Sequence, residues 1–507
     1  MVETITLTPL EDHHNHRSLY SVLDNASSLK DLRTAEETTA AIKSFMNNME
    51  NAGSCRYRPE SKKMPVLFWG WNSGVWNPYS TEIKKELDKL PPLIICNLSL
   101  HSFFLNRSAA EVLKIIYHDL AVNFKDNLWV EKNLPFILSF LIRCGGLSEG
   151  KLVEYSRTQL GNGLPIHHDM LIDTRTLLAY LHSGLIKFTV LWAFPDVYRQ
   201  MPNDLKPYIT GFKIFADGAL GAYTAALKTS YKRLESHDAA SAGGYVNPLS
   251  AAQPKENEGA SELVIKLPST ARPESITDKG KNRGKYQTGI LLMGSDDIVS
   301  RIKYAMDEKK SISIHCIGDR AVSTVIEGLI KSRSQGIWTS EVRLEHCQFI
   351  SLENAKEAKA LGVILSMQPN FSLDSIYYKD RLENHYLSWN NPFRMLIDRA
   401  GFKPGYDLIF GTDGMPADVA PVLESSLFPP YPDQTLTLDE FKAGFAPSAI
   451  SSVNVHSVPL KSACTGTENN NELTKEINEI IEKGMKTEIM LEIDPATHRV
   501  RYKKEYI

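Results

Sequence analysis

The chain has 507 residues, of which 42% are hydrophobic and 23% are charged, and its formal net charge is −3. This is the composition of an ordinary globular protein, and the nearly balanced charge offers no basic face for nucleic acid or an anionic membrane. Because a single hydrophobic core stops growing at roughly 250–300 residues, we expect one large domain with additions, or two domains.

Two further features concern the cellular compartment. No apolar run approaches the ~20 residues that a helix needs to cross a bilayer, and the N-terminus shows no signal peptide pattern. The six cysteines are scattered without a CxxC pair, which is typical of a reducing compartment. We therefore expect a cytoplasmic protein with no membrane or nucleic-acid partner.

The first notable motif is Asp12-His13-His14-Asn15-His16. On an extended strand, residues two apart face the same side, so His14 and His16 would present two imidazoles together, as a divalent metal requires of its first ligands. His13 and Asn15 would face the other way. Alone, such a pair is more often a surface cluster than a metal site, so its meaning depends on the rest of the chain.

The remaining elements alternate between helices and strands. A helix is predicted over 27–50, where apolar residues recur at three- and seven-residue steps. The predicted strands are 65–69, 93–96, 186–193, 211–216, 311–316, 341–346, 362–367 and 407–411. Further helices are predicted at 174–183, 295–309, 321–332 and 352–361. Repeated β–α units predict a parallel sheet, and their number favours a (β/α)8 barrel over the alternative open sheet.

Polar segments mark the additions to this core. Residues 237–287 are rich in small, polar and charged side chains and predict a long surface insertion. We assign residues 1–445 to the barrel with this insertion. Residues 446–507 would form a C-terminal helix and a tail, with a β-hairpin at 488–506.

Four of the predicted strands end in, or are followed closely by, a residue able to hold a metal. His315 and His346 close their strands, Lys213 lies within the strand predicted at 211–216, and Asp413 follows the last strand. In a (β/α)8 barrel the catalytic residues come from the C-terminal ends of different strands. With the two histidines of the first motif, these residues form an ordered candidate metal site.

This ordered set resembles the amidohydrolase superfamily of metal-dependent hydrolases. It is most similar to the YtcJ-like branch, which includes N-substituted formamide deformylases. The strings that carry the resemblance, from position 12 to about 416, are Asp12-x-His14-x-His16, Gly70-Trp71, His101 with Asn106, KIFADG from Lys213, HCIGDRA from His315, RLEH from Arg343, SMQP from Ser366 and Gly411-Thr412-Asp413. HCIGDRA and KIFADG are specific to that branch rather than to barrels in general.

The resemblance implies one or two divalent metal ions, most often zinc. His14 and His16 would hold the first ion, and His315 and His346 the second, roughly 3.5–4 Å away. An ammonium group is repelled by a metal ion, so the resemblance favours a Lys213 that CO2 has carboxylated to a bridging carbamate. The alternative is a Lys213 that donates a hydrogen bond without touching the metal.

The resemblance also implies the reaction. A metal lowers the pKa of a bound water from 15.7 to about 7, and Asp413 would act as metal ligand and as general base, then general acid, as the activated water attacks a carbonyl. His101 is expected as a second electrophile or substrate contact, and Asp217 and Arg320 as groups that orient the substrate. The predicted activity is hydrolysis of a C–N bond in a small amide, N-formyl or cyclic amide compound.

Three alternatives stay open: an ester substrate, deamination, or a silent barrel that binds a small ligand. Superfamily deaminases carry a His-Ala-Gly-Glu string where this chain has His315-Cys316-Ile317-Gly318-Asp319, which disfavours deamination. The intact set, including Asp413, disfavours a silent barrel. We place His167-His168-Asp169 on a loop outside the site, and a homodimer would be a common outcome.

One departure from the family pattern concerns the flanking domain. Members of the branch carry a longer segment before the first motif, which forms a β-sandwich with the C-terminus. Only eleven residues precede Asp12 here. We therefore expect a β-sandwich that is truncated or replaced, through a lineage difference or an incomplete sequence.

Overall fold

In the computed structural model, the described residues are 2–51, 64–71, 76–116, 123–232, 288–447 and 488–503, with the single residues 479 and 486. The insertion predicted at 237–287 and the C-terminal helix predicted before residue 488 lie outside the described residues. The chain divides into two compact units. The first comprises Met1–Asn25, Leu138–Arg233 and Thr288–Ile507, and the second comprises Ala26–Ile137 and Leu234–Gln287.

The described residues form strands and helices that we number in chain order. The strands are β1 (Glu3–Leu7), β2 (Glu11–Asn15), β3 (Ser27–Ser28), β4 (Val66–Trp71), β5 (Leu93–Asn97), β6 (Phe103–Leu105), β7 (Ile166–Asp169), β8 (Thr189–Ala193), β9 (Gly211–Phe215), β10 (Ser311–Cys316), β11 (Val342–His346), β12 (Ile364–Met367), β13 (Leu408–Phe410), β14 (Ile489–Asp494) and β15 (Arg499–Tyr502).

The α-helices are α1 (Arg17–Leu23), α2 (Ala35–Asn51), α3 (Thr81–Leu87), α4 (Arg107–Ile116), α5 (Asn127–Cys144), α6 (Glu149–Gly161), α7 (Thr174–Ser183), α8 (Pro195–Gln200), α9 (Ser295–Asp307), α10 (Asp319–Ser334), α11 (Leu352–Leu361), α12 (Asp374–Tyr377), α13 (Asn384–Trp389), α14 (Val419–Leu427) and α15 (Leu438–Gly444). None of the helices among the described residues has the length and apolar character needed to cross a membrane.

An eight-stranded parallel sheet forms the centre of the first unit, in the order β13-β12-β11-β10-β9-β8-β7-β2. Its two end strands meet, because the Asp413 N–H donates to the His14 carbonyl (2.8 Å) and the Thr412 N–H donates to Asp12 Oδ1 (2.8 Å). The sheet is thus nearly closed on itself. This confirms the predicted (β/α)8 barrel.

Alternation along β10 shows how the barrel core is built. Ile312 and Ile314 are fully buried in a hydrophobic cluster with side chains of α9 and α10, such as Ile302 and Val325. Ser313 lies between the two isoleucines, and its hydroxyl donates to a carboxylate of the neighbouring β11 (2.7 Å). Because side chains alternate along a strand, apolar residues pack against the helices and polar residues face the barrel interior.

One prediction about local structure was wrong. The helix predicted at 27–50 begins only at Ala35, and Ser27 and Ser28 form β3, which pairs with β4. Leu29 explains the difference: its side chain is buried, and its N–H donates to the Trp69 carbonyl (2.8 Å). The four-stranded sheet β3-β4-β5-β6 belongs to the second unit, so the strands predicted at 65–69 and 93–96 are not barrel strands.

The segment His167-His168-Asp169 is also not a loop. It lies in β7, a buried barrel strand paired with β2 and β8. Sequence reasoning missed it because four residues with three polar side chains show no apolar alternation. Buried partners satisfy two of the three side chains: the Tyr180 hydroxyl donates to Asp169 (2.7 Å), and the His168 Nε2 lies 2.6 Å from Glu11 Oε1.

A separate three-stranded antiparallel sheet joins segments from both ends of the chain, in the order β1-β14-β15. Glu3 pairs with Ile493 in β14, and Ile493 pairs with Val500 in β15. β14 and β15 thus form a hairpin with β1 added at its edge. The truncation or replacement of a β-sandwich stays a prediction.

Gly411 is the residue through which β13 approaches β2. A Cβ atom added at Gly411 would lie 2.4 Å from the His14 nitrogen and 2.7 Å from the His14 Cβ. Gly411→Ala should therefore lower the free energy of unfolding by about 1–3 kcal/mol, as overpacking does. Chemical denaturation monitored by circular dichroism measures this change.

Gly161→Ala provides the matched control, because a Cβ added at the end of α6 meets nothing within 4 Å. Its unfolding free energy should stay within about 0.5 kcal/mol of the parent protein. Equal stabilities for the two variants would show that β13 does not need glycine at this position.

Candidate metal centre

The two ring nitrogens of His14, on β2, face different partners in the barrel interior. Its Nδ1 lies 2.6 Å from Glu345 Oε2, and its Nε2 lies 3.4 Å from Lys213 Nζ and 3.6 Å from Asp413 Oδ1. Burial, reinforced by the Lys213 charge, lowers the pKa of His14 to about 4. At neutral pH His14 is therefore a neutral imidazole, the form that binds a metal.

His16, directly after β2, faces the same carboxylate. Its Nε2 lies 3.3 Å from Asp413 Oδ1, and its ring centroid lies 5.5 Å from that of His14. Its buried Nδ1 has no hydrogen-bond partner among the described residues. The two histidines therefore converge on Asp413, although the β2–β7 register is irregular between Asp12 and Asn15.

His346 reaches the centre through an unusual backbone conformation. It ends β11 with a φ of 71°, in the left-handed region that few non-glycine residues adopt. Its Nδ1 lies 2.6 Å from Gln368 Oε1, and because an amide oxygen only accepts, that nitrogen carries the proton. Burial holds the pKa of His346 well below its usual range, so Nε2 is a neutral donor for a metal.

His315 completes the histidine cluster. Its ring centroid lies 4.5 Å from that of His346. Its Nε2 lies 3.0 Å from the Gly218 carbonyl oxygen and 3.5 Å from Asp217 Oδ1. The structure thus brings His315 beside His346, as the sequence led us to expect, with Nε2 bonded to a backbone carbonyl.

Lys213, from β9, is fully buried beside His14. Burial lowers the pKa of its ammonium group to about 8, although the Glu345 and Asp413 carboxylates oppose this shift. The ammonium form still dominates near neutral pH, but the fraction of neutral amine is larger than in an exposed lysine.

Asp413 occupies a turn just after β13, with a φ of 55°. Burial works to raise the pKa of its carboxyl, yet His14, His16 and Lys213 hold that pKa below its usual range. Its side chain is 18% exposed, against 13% for His16 and 1% for His14. Solvent thus reaches the cluster from the side of Asp413, which is ionised at neutral pH.

These residues fit a divalent metal ion. His14, His346 and Asp413 each offer a ligand atom, and the three atoms lie within 4.8 Å of one another. Neutral imidazole and ionised carboxylate are the donors that zinc and similar divalent ions prefer. His16 adds an imidazole whose Nε2 lies 3.3 Å from the Asp413 carboxylate.

The other predicted site residues have partners of their own. Asp217 is fully buried and accepts backbone N–H groups of Ala226 (2.8 Å), Ile317 (3.0 Å) and Gly318 (2.9 Å). Arg320, at the start of α10, points its guanidinium at the carbonyl of residue 289 (3.4 Å). Their roles in substrate binding stay predictions.

His101 lies in the second unit, between β5 and β6. Its Nδ1 lies 2.9 Å from Glu131 Oε2, and Glu131 is itself buried in that unit. A carboxylate on Nδ1 fixes the orientation of an imidazole ring. The predicted catalytic or substrate-binding role of His101 stays a prediction.

Sequence reasoning missed three residues that hold this cluster in place. Glu345 bonds His14, Gln368 bonds His346, and Asp12 joins the Thr412 loop to the first strand. All three belong to strings that carried the family resemblance, so the signal was present. Only the tertiary structure shows which ligand each of them touches.

A second histidine cluster, of Glu11, His13 and His168, is a hydrogen-bond network rather than a metal site. The His168 Nδ1 accepts from Arg343 Nη1 (2.9 Å) and from Trp192 Nε1 (3.2 Å). Its Nε2 therefore carries the proton and donates to Glu11 Oε1 (2.6 Å). A protonated nitrogen cannot bind a metal. The other ring nitrogen of His168, Nδ1, is already bonded to the Arg343 cation.

The chain belongs to the amidohydrolase family, whose model matches residues 144–425, more than half of the sequence. Membership points to a hydrolase, and amidohydrolase superfamily members generally use divalent metal ions. The wider superfamily expected from the sequence is thereby confirmed.

Solved structures show the same fold. An uncharacterized metal-dependent hydrolase from Pyrococcus furiosus is 17% identical with a TM-score of 0.54, covering 89% of this chain and 83% of its own. Another from Pyrococcus horikoshii OT3 is 19% identical with a TM-score of 0.53, covering 97% of this chain and 86% of its own. The search of curated proteins returned no match.

The partners of Asp217 generate a test of its role. In Asp217→Asn, one oxygen acceptor becomes an NH2 donor that faces backbone N–H groups. We expect a loss of about 2–3 kcal/mol in the free energy of unfolding, the value of hydrogen bonds to a charged acceptor. Thermal unfolding of this variant and of the control Asp204→Asn, at an exposed position, measures the effect. Identical midpoints would show that the backbone contacts of Asp217 do not stabilise the loop.

Proposed function

We propose that the protein is a metal-dependent hydrolase of C–N bonds in small amides, N-formyl compounds or cyclic amides. The observation that carries the proposal is the convergence of His14, His16, His346 and Asp413 at the C-terminal ends of the barrel strands. Membership in the amidohydrolase family supports hydrolysis. The KIFADG and HCIGDRA strings support the YtcJ-like branch and its amide-type substrates.

In this proposal the ligand residues divide between two positions. His14, His16 and Asp413 would hold one divalent ion, zinc in the first instance, and His315 and His346 would hold a second. A bound ion would polarise the scissile carbonyl and lower the pKa of a nearby water. The neutral imidazoles of His14 and His346 leave their lone pairs available for this purpose.

Asp413 would move the proton. Its carboxylate is ionised and is the most exposed member of the group that includes His14 and His16. An Asp413 oxygen would accept a proton from the attacking water and return it to the departing nitrogen as the C–N bond breaks. Asp217 and Arg320 would help to orient the substrate, and His101 would contact it.

Lys213 would act after carboxylation. The neutral amine attacks CO2, an N–C bond forms, and the nitrogen loses a proton, which leaves an anionic carbamate. The ammonium form would place a positive charge 3.4 Å from the His14 Nε2, where it would repel a metal ion. Carboxylation replaces that charge with a negative one and adds two oxygen donors.

The function is tested by loading the purified protein with zinc and assaying a panel of N-formyl, N-acyl and cyclic amide compounds beside matched esters. We expect one to two ions per chain and release of amine or amino acid from C–N substrates. A chelator should abolish turnover, and added zinc should restore it. Cleavage of the esters alone would favour the alternative reaction, and a protein that retains no metal would reject the site.

Asp413→Asn tests the proton transfer. The amide cannot accept a proton, so kcat should fall by about 10²–10⁴-fold, the usual contribution of a general base. Activity is normalised to bound metal, because the variant also loses an anionic ligand. Asp433→Asn, at an exposed position, is the control and should retain the parent kcat. An Asp413→Asn protein that keeps its metal and its full kcat would assign the base to another residue.

Bicarbonate tests the carboxylation of Lys213. Zinc loading of the metal-free protein should increase with added bicarbonate, because the carbamate supplies negative ligands that the ammonium lacks. Lys213→Met should load less zinc and should not respond to bicarbonate. Loading of the parent protein that is independent of bicarbonate would leave Lys213 as a hydrogen-bond donor only.

A further inference from the structure

We propose that Glu345 is a positioning residue that fixes the ring and the proton of His14, so that the His14 Nε2 lone pair faces the metal centre. This inference rests on the proposed metal site and assigns a role to a residue outside the ligand set. It follows from the contacts of three side chains in the barrel interior, His14, Glu345 and Arg343.

The first contact is the short bond between Glu345 and His14. Glu345 is fully buried on β11, and its Oε2 lies 2.6 Å from the His14 Nδ1. A carboxylate only accepts hydrogen bonds, so Nδ1 carries the proton. The neutral ring has one proton, which leaves its lone pair on Nε2.

Two groups act on the His14 Nε2 in opposite directions, because Lys213 Nζ, 3.4 Å away, can donate to this nitrogen, whereas Asp413 can only accept from it. Asp413 Oδ1 lies 3.6 Å from Nε2 and would attract a proton to that nitrogen. A protonated Nε2 cannot bind a metal. The distance from Glu345 Oε2 to the His14 Nδ1 is 2.6 Å, which is 1.0 Å shorter than the distance from Asp413 Oδ1 to Nε2. Glu345 therefore decides which nitrogen carries the proton.

Arg343 and Ser313 hold Glu345 in place. The Glu345 Oε1 accepts from the Ser313 hydroxyl (2.7 Å) and lies 3.3 Å from the Arg343 Nε. The remaining nitrogens of Arg343 bind elsewhere: Nη2 donates to the His13 carbonyl oxygen (2.7 Å), and Nη1 bonds the His168 ring (2.9 Å). The Arg343 cation beside Glu345 keeps this carboxylate anionic. An anion bonded to the Nδ1–H of His14 makes the His14 Nε2 a stronger metal ligand.

A purely structural role for Glu345 is the alternative, in which it only neutralises Arg343. Two variants separate these roles. Glu345→Asp keeps the negative charge beside Arg343 but shortens the side chain by one methylene, which withdraws it from His14. Glu345→Gln keeps the reach and loses the charge. Glu357→Gln is the control, since it removes an exposed carboxylate and leaves the contacts of Glu345 and His14 in place.

The first measurement is the Kd for zinc by competition with a chromophoric chelator. We expect both Glu345 variants to bind zinc about 10–100-fold more weakly than the parent, as is usual when a carboxylate partner of a metal-binding histidine is removed. Glu357→Gln should bind zinc with the same Kd as the parent. Weak binding by Glu345→Asp is the decisive result, because a simple neutralising role predicts a parent-like Kd.

The second measurement is the protonation of His14 in the metal-free protein, by nuclear magnetic resonance of isotope-labelled histidine nitrogens. The His14 signals are assigned as those lost in His14→Gln. We expect the proton on Nδ1 in the parent and a shift towards Nε2 in Glu345→Asp. The spectrum of the metal-free parent shows by itself which His14 nitrogen carries the proton, even if the Glu345 variants do not fold.

The outcomes separate the two proposals. A parent that binds zinc, with both Glu345 variants within about threefold of it, would overturn the positioning role and leave the metal site intact. A His14 proton on Nε2 in the parent would overturn the role as well. A parent that binds no zinc would overturn the proposed function itself. Should the variants fail to fold, the tautomer of the parent decides.

Discussion

The join between the last and the first barrel strand is the constraint on which the candidate site depends. Asp12 accepts the backbone N–H of Thr412, and the Asp413 N–H donates to the His14 carbonyl. These bonds place Asp413, which is 397 positions beyond His16 in the numbering of the chain, within 3.3 Å of that histidine. If the sheet stayed open at this join, the carboxylate and the two histidines would lie at opposite edges.

The interior of the barrel next to the ligand residues is lined by charged rather than apolar side chains. Arg343 lies between Glu345 and His168, and both neighbours are fully or almost fully buried. Buried charges are costly unless each has a partner and its hydrogen bonds are satisfied. Here the pairing also determines which ring nitrogen of each histidine is protonated, because a neutral ring that accepts at one nitrogen carries its proton on the other. Support of the fold and preparation of the ligands are therefore properties of one network.

Predictions from local sequence were most accurate where capping residues mark both ends of a helix. Helix α7 was predicted at its observed bounds: the Asp173 side chain accepts an N–H of its first turn, and Gly184 ends it with a φ of 75°. The short polar strand β7 and the start of α2 were missed, because their states are decided by partners distant in sequence. Propensity and periodicity carry no information about such pairings.

The sequence by itself determined the repeated β–α pattern, the family resemblance and the candidate ligands, because residue types and their order along the chain carry those signals. The tertiary structure alone decided the geometry of the site. It turned His346 towards His14 through a left-handed backbone, and it assigned His168 to a hydrogen-bond network. The physical reason is that a metal site is defined by distances and lone-pair directions. Both depend on barrel closure and on buried partners such as Glu345, which contacts His14 across 331 positions of sequence.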